Sequence, residues 1–419
     1  MLNRALLLCN VGGGANQSVG EAGGMGFGVG VYGGDQSDLT AMGLSPMNGY
    51  DDPSSDNYGN YQHTNGSVMV FVPAFCYRIG NAAAPSYSRD GNNALEIRDA
   101  SLGEGDGWIL HRAFIDGGQQ KLGFFIDKYV CSKDSTGKKA ISVKNADPIS
   151  LSTGLSNSSS MTGCDGHAWD AITLGRARGN QYSCVTSFQW SAISMLSLAH
   201  GQAATSSQFC GWYDANHTTN FPKGNNVDGS LKDTNDSSIT FTAHSKNSSF
   251  CKTGSGNPFN KTTHNGQNCG ISDVNGNQWQ VTLGVRNNGD SSTIYVMKES
   301  ISAHDFTKDN RNTASFFDSA SKSYNSGSLW GSNAFYTDAS GVNRALCGVF
   351  PKTYSSGTDL FGKDYLNVDP SNSDSVCFVG GHYLETSVAG VWYRYFYFNF
   401  RYWSEGIGFF GFRCSGYAS

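Results

Sequence analysis

The chain has 419 residues, a net charge of −5 and 15% charged residues, well below the usual quarter. Its 53 glycines and 9 prolines, with polarity carried by Asn, Ser and Thr, predict long ordered loops and argue against a helical bundle. There is no cationic field to neutralise phosphates and no run of eighteen apolar residues, so neither a nucleic-acid partner nor membrane insertion is expected.

The opening MLNRALLLCNVGGG carries an apolar run, Ala5 to Cys9, too short for a secretion signal and better suited to a buried strand or an attachment peptide. Residues 11–34 hold eleven glycines in 24 positions. That density costs too much backbone entropy for a compact domain. Residues 35–65 continue polar. The expected division is therefore a Gly-rich attachment or oligomerisation arm over 1–65 and a ligand-binding domain over 66–419, with a polar insertion at about 202–268.

SVMVFVPAFCYRIG (67–80) predicts a strand that ends or bulges at Pro73, then a second strand. WILHRAF (108–114) and GFFIDKYVCS (123–132) predict two more, joined by the turn-like IDGGQQKL. TSFQWSAISMLSLAHG (186–201) has helical spacing, with Thr186 or Ser187 as cap and Gly201 as stop. WQVTLGVR (279–286) and STIYVMK (292–298) read as a hairpin around NNGD. SVCFVGG (375–381), AGVWYRYFYF (389–398) and GFFGFRC (408–414) read as closing strands. No repeat and no βαβ alternation is present, so a Rossmann-like or barrel enzyme is disfavoured.

Twelve of the 21 residues from Trp392 to Phe412 are aromatic. Such a run either fills a core or forms a recognition surface, because Tyr and Trp give large rigid contact area with few rotors. Strand alternation places Trp392, Arg394, Phe396 and Phe398 on one side and Tyr393, Tyr395 and Tyr397 on the other. The phenolic side is the one expected to be exposed, since each hydroxyl needs a partner or water.

Candidate chemistry is sparse. The eleven cysteines (9, 76, 131, 164, 184, 210, 251, 269, 347, 377 and 414) contain no CxxC and read as small buried hydrophobes, with a Cys210–Cys251 disulfide left open. No pair of histidines has metal-ligand spacing. His111 reads as a hydrogen-bonded core residue, and His382 with Glu385 as a loose surface pair. Asp127 is expected to pair with Lys128, Arg112 or backbone amides. Asp273 is expected to hold the loop leading to Asn277 and Trp279. No catalytic residue, metal or cofactor is expected.

Four pieces resemble the formylglycine-generating-enzyme-like branch of the C-type lectin fold, and in particular the variable proteins of diversity-generating retroelements and related phage tail or tropism proteins. They are GFFIDKY (123–129, with Asp127 and Tyr129), the capped helix SFQWSAISMLSLA (187–199), GISDVNGNQWQ (270–280, with Asp273, Asn277 and Trp279) and the terminal Gly411, Phe412 and Arg413. Ile271 and Ser272 separate Gly270 from Asp273, a departure from the family pattern. The resemblance implies an irregular α+β lectin-type domain whose outward positions lie just before the Gly-Phe-Arg strand. On this chain that surface would comprise Trp392, Tyr393, Tyr395, Tyr397, Asn399, Arg401, Tyr402, Trp403 and Ser404. It implies a receptor-binding protein of a phage virion, on a tail fibre or related appendage. Such a protein would be made in the host cytoplasm and would bind a host-cell protein or glycan. It would join other virion proteins through its arm and assemble as a homo-oligomer, a trimer by expectation. The alternatives are a capsid or tail decoration protein without a receptor and an oxidase-type enzyme of the same fold. The enzyme branch's cysteine pair is absent here, since Cys377 and Cys414 stand far apart and 391–403 holds no cysteine.

Overall fold

The computed structural model describes residues 17–152, 155–219, 221–288, 293–321, 328–355, 365–368, 373–398 and 410–418. In chain order the main strands are β1 (Leu44–Pro46), β2 (Asn60–His63), β3 (Val68–Pro73), β4 (Phe75–Ile79), β5 (Leu95–Asp99), β6 (Ile109–Leu110), β7 (Gly123–Asp127), β8 (Tyr182–Cys184), β9 (Trp279–Asn288), β10 (Thr293–Met297), β11 (Phe317–Ser321), β12 (Ser328–Trp330), β13 (Tyr354–Ser355), β14 (Tyr365–Val368), β15 (Ser373–Val379), β16 (Arg394–Phe396), β17 (Phe410–Gly411) and β18 (Cys414–Gly416). One long helix, Ser187–Ala203, lies between β8 and β9.

The first sheet is antiparallel throughout, in the order β1-β2-β3-β7-β18-β8. The C-terminal strand β18 is thus an interior strand. The second sheet runs β11-β10-β9-β15-β16-β14-β12-β13. It is mixed, because β14 pairs with β16 and β17 pairs with β9 in parallel. A third, small sheet runs β5-β4-β6. The α+β class follows directly.

The helix forms where the periodicity predicts it. The Thr186 hydroxyl accepts from the Gln189 amide (3.1 Å) and the Gln189 carboxamide oxygen accepts from the Thr186 amide (2.8 Å), a reciprocal cap. Gly201 does not stop it; the helix runs on to Ala203. Every residue from Ser187 to Gln202 is buried, so the helix is a central core rod and not an amphipathic surface element.

β3 and β7 explain why the expected boundary at 65/66 does not separate the described residues. Both strands are apolar at nearly every position, so both of their faces need cover. Val70, Val72, Phe124 and Ile126 enter the main core with the helix. Met69, Phe71 and Phe125 enter a second cluster with Tyr32, Leu39, Met42, Leu44 and Tyr61. Residues from the expected arm therefore supply the layer over that second face, and Val19, Phe27 and Val29 reach the main core itself. Residues 1–16 lie outside the described residues.

Other local differences have simple causes. WILHRAF is a strand only at β6 before a 3-10 turn at Arg112–Phe114, whose first amides are met by His111 Nδ1 accepting from Ala113. The linker IDGGQQKL closes its own hairpin, Ile115–Asp116 against Gln119–Gln120. The ten described cysteines, Cys210 and Cys251 included, are free thiols. Among the described residues, no helix is long and apolar enough to cross a membrane.

Candidate functional site

The aromatic segment is built from its backbone outward. The Trp190 indole N–H (2.9 Å) and the Ser194 hydroxyl (2.7 Å) both donate to the Val391 carbonyl, which stitches the segment to the central helix. The Trp330 indole donates to the Trp392 carbonyl (3.0 Å). Arg394 is wholly buried and spends its guanidinium on neutral acceptors: the carbonyls of Val391 (2.8 Å), Tyr393 (3.0 Å) and Gly348 (2.8 Å) and the Ser194 hydroxyl (3.1 Å). It acts as a bolt between β16, the helix and the Gly348 loop. β16 itself lies between β14 and β15, with Tyr395 opposite Asn367 and Phe378.

Alternation holds only within and just beyond β16. Arg394 and Phe396 point inward, Tyr395 is half-buried, and Tyr397 is 42% exposed. Tyr393 contradicts the expectation of an outward phenol, since its side chain is fully buried. The strand starts only at Arg394 and not at Ala389, after a turn at Val391–Trp392. The Tyr393 hydroxyl instead donates to Glu385 Oε1 (3.1 Å), and burial pushes its pKa well above the ordinary phenol value. Trp392, proposed as a ligand contact, is sealed between Trp330 (5.0 Å) and Phe335 (5.3 Å), both edge-on. Asn399, Arg401, Tyr402, Trp403 and Ser404 lie outside the described residues.

What reaches solvent is a small shelf on a rigid stack. Tyr395 lies between Trp279 (4.9 Å, 17°) and Tyr393 (6.0 Å, 17°), and Tyr397 leans on Tyr395 (5.8 Å) and Phe398 (5.2 Å). Trp279 meets His382 edge-on at 4.1 Å. His382 is buried and 3.3 Å from Glu385, so that pair is a support beneath the stack and not a surface pair. Leu384, between them in sequence, is 44% exposed. Sequence reasoning missed Trp330 and Phe335. They come from a distant segment, and no local pattern marks them as neighbours of Trp392.

The motif residues form the frame behind the shelf. Arg413 is buried and donates to Gln280 Oε1 (2.7 Å) and to the carbonyls of Asp127 (2.9 Å), Lys128 (3.0 Å), Ser272 and Asp273 (2.9 Å). Phe412 is buried, and a Cβ on Gly411 would come within 2.8 Å of Gln278 Oε1. Asp273 accepts from the Gly254 amide (2.9 Å) and the Val130 amide (3.3 Å), so it holds β7's exit and the Gly254 turn. Asn277 adopts a left-handed φ of 62° and accepts from the Cys251 amide (2.8 Å). Tyr129 is buried, its pKa raised by desolvation.

Asp127 does not pair with Lys128 or Arg112. Its partner is Arg178, a buried ion pair, and its other oxygen accepts from the Cys414 amide (2.8 Å). Lys128 follows β7 and faces away, donating to Asn60 Oδ1 (2.7 Å) and the Asn268 carbonyl (2.7 Å), with burial lowering its pKa to about 8. Arg112 donates to backbone carbonyls, including Lys298 (3.0 Å). Burial pushes the Cys377 thiol up to about 11, the reverse of an activated nucleophile.

No protein-family profile and no curated protein matches the sequence. Among solved structures, the chain aligns with the M1 variant of major tropism determinant at TM-score 0.32 and 12% identity, over 84% of this chain and 63% of that one. The I1 variant aligns at 0.29 and 11%, and the U1 variant at 0.28 and 12%, with the same coverage. The chain thus spans less than two thirds of the length of these tropism determinants.

Proposed function

We propose that this chain is a phage receptor-binding protein. In this reading it has a lectin-type fold of the formylglycine-generating-enzyme-like branch and presents the C-terminal aromatic shelf to a host-cell protein or glycan. The observation that carries the reading is the contrast within one strand. Arg394 and Phe396 are locked in the core, while Tyr395 and Tyr397 stand on the other side, on a pre-stacked aromatic base. Rings already fixed in place lose little entropy on contact, which suits a binding surface. Asn399, Arg401, Tyr402, Trp403 and Ser404 are proposed as further ligand contacts. No reaction is part of the proposal. Attachment to the virion tail through residues 1–65, and trimeric assembly that multiplies weak single contacts, complete it.

The burial of Trp392 and Tyr393 favours one competitor, a decoration protein whose aromatic segment is purely structural. Replacing Tyr395 and Tyr397 together with Ser separates the two. Host-cell adsorption is expected to fall by about tenfold or more while the variant still folds, its melt lowered by the lost Tyr395 stacking. Unchanged adsorption by the folded double variant would favour the decoration reading.

A further inference from the structure

Behind the frame, two thiols that the functional reading does not use are in contact. Cys131, four residues beyond Asp127, and Cys414, on β18, are both fully buried with their sulfurs 3.9 Å apart. They are 283 residues apart in sequence. The Cys131 amide donates to the Phe412 carbonyl (3.0 Å), so the two backbones are in register beside each other.

We propose that Cys131 and Cys414 are a cross-linking site, forming a disulfide that fastens the C-terminal strand to the exit of β7 when the chain matures under oxidising conditions. Disulfide length requires the sulfurs to close by roughly 2 Å, within reach of side-chain rotation at van der Waals contact. The oxidant is a small-molecule disulfide such as oxidised glutathione. The Cys414 thiolate attacks it, forming a mixed disulfide and releasing one reduced thiol. The Cys131 thiolate then attacks the Cys414 sulfur and releases the second. Two protein thiols become one disulfide, and the glutathione disulfide becomes two thiols. Cys414 sits on β18, so its thiol is accessible until β18 inserts between β7 and β8. Insertion itself delivers it to Cys131.

The neighbours favour a disulfide over a metal. Asp127 brings a carboxylate to the same point, within 4.8 Å of both sulfurs. Its oxygens are already engaged, one by Arg178 and the other by the Cys131 thiol (3.1 Å) and the Cys414 amide. A cation would have to displace a buried guanidinium. Loss of the Cys131 S–H on oxidation leaves the Arg178 and Cys414 amide contacts to that carboxylate in place. Cys184, opposite Cys414 across the β8–β18 ladder, has its thiol on the Val281 carbonyl (3.4 Å). The inference does not rest on the receptor reading.

The test uses the full chain, produced once in a reducing cytosol and once in cells with an oxidising cytosol. Oxidising production is expected to lower the intact mass by about 2 Da and to yield a fragment pair joined through Cys131 and Cys414 that reductant separates. It is also expected to raise the thermal midpoint by about 5 °C over the reduced chain. Cys414→Ser removes the joined pair. Mapping is done on the unsubstituted chain, so it does not depend on a variant folding. The proposal fails if both thiols alkylate in oxidised preparations, if Cys414 is found joined to Cys184, or if the site holds stoichiometric zinc that Cys414→Ser abolishes.

Discussion

The glycine-rich stretch 17–34 and the aromatic stretch 391–398 are the compositional extremes of this chain, and each is packed by opposite means. In the first, backbone is the packing unit. Gly28, at a left-handed φ of 76°, brings its main chain so close to the helix that a Cβ would meet His264 Nε2 at 3.0 Å and Leu196 Cδ1 at 3.3 Å. A Cβ on Gly30 would fall 2.5 Å from Pro73 Cγ. In the second, rings are the packing unit, and a cation, Arg394, is needed to satisfy the carbonyls between them. Glycine content therefore records close approach as readily as freedom, and aromatic content records core as readily as display. Among the described rings of this stretch, Tyr395, Tyr397 and Phe398 remain at least partly in solvent.

Breaking this comparison starts at its strongest point. Arg413→Ala is expected to cost at least about 3–5 kcal/mol and to leave little folded protein, because backbone carbonyls from two segments and the Gln280 side chain lose their donor. Trp392→Ala belongs with it at about 3–5 kcal/mol, measured by chemical denaturation. A cost under about 1 kcal/mol for either would mean the segment is not core.

Acid is the next lever, and it acts on the glycine-rich side. His200 is stacked on Phe27 (5.3 Å); its Nδ1 accepts from the Gly23 amide (3.1 Å), and its other nitrogen is 2.7 Å from the Phe209 carbonyl. Burial lowers the pKa of His200 to about 4 and of His264 to about 3. Between about pH 6.5 and 4 the unfolded chain binds these protons and the folded chain does not, so stability falls as pH falls through that window. The loss is on the order of a few kcal/mol, and protease cutting within 17–34 is expected to appear before cutting near β16. Simultaneous cutting of both would show that the two regions open together. Gly28→Ala should cost about 1–3 kcal/mol through strain and crowding. A neutral result in the melt would mean that the backbone approach there is loose. At the small end, Tyr397→Ser should shift stability by no more than about 0.5 kcal/mol, in contrast to Trp392→Ala a few residues away. A larger shift would place Tyr397 in the core.

Much of the frame was legible. The cap at Thr186, the strands on either side of Pro73, the β9–β10 hairpin and the inward turn of Arg394 and Phe396 follow from local spacing. Tyr393 was misplaced because alternation fixes sides only inside a strand, and the strand starts at Arg394. For Asp127 the expected backbone-amide partner is there, in Cys414, but the ion pair is with Arg178 and not with Lys128, which the extended backbone sends to the opposite side.

The sequence by itself determined where chain is stiff, where it turns and which stretches must be buried, because those depend on neighbours a few residues away. That β3 and β7 are apolar at almost every position already required a layer on both faces. The tertiary structure alone decided that the layer is the glycine-rich stretch, that β18 enters the middle of a sheet, and that two thiols 283 residues apart come into contact. Those outcomes depend on which distant surfaces fit together, a matter of shape and unmet backbone hydrogen bonds that no local pattern encodes.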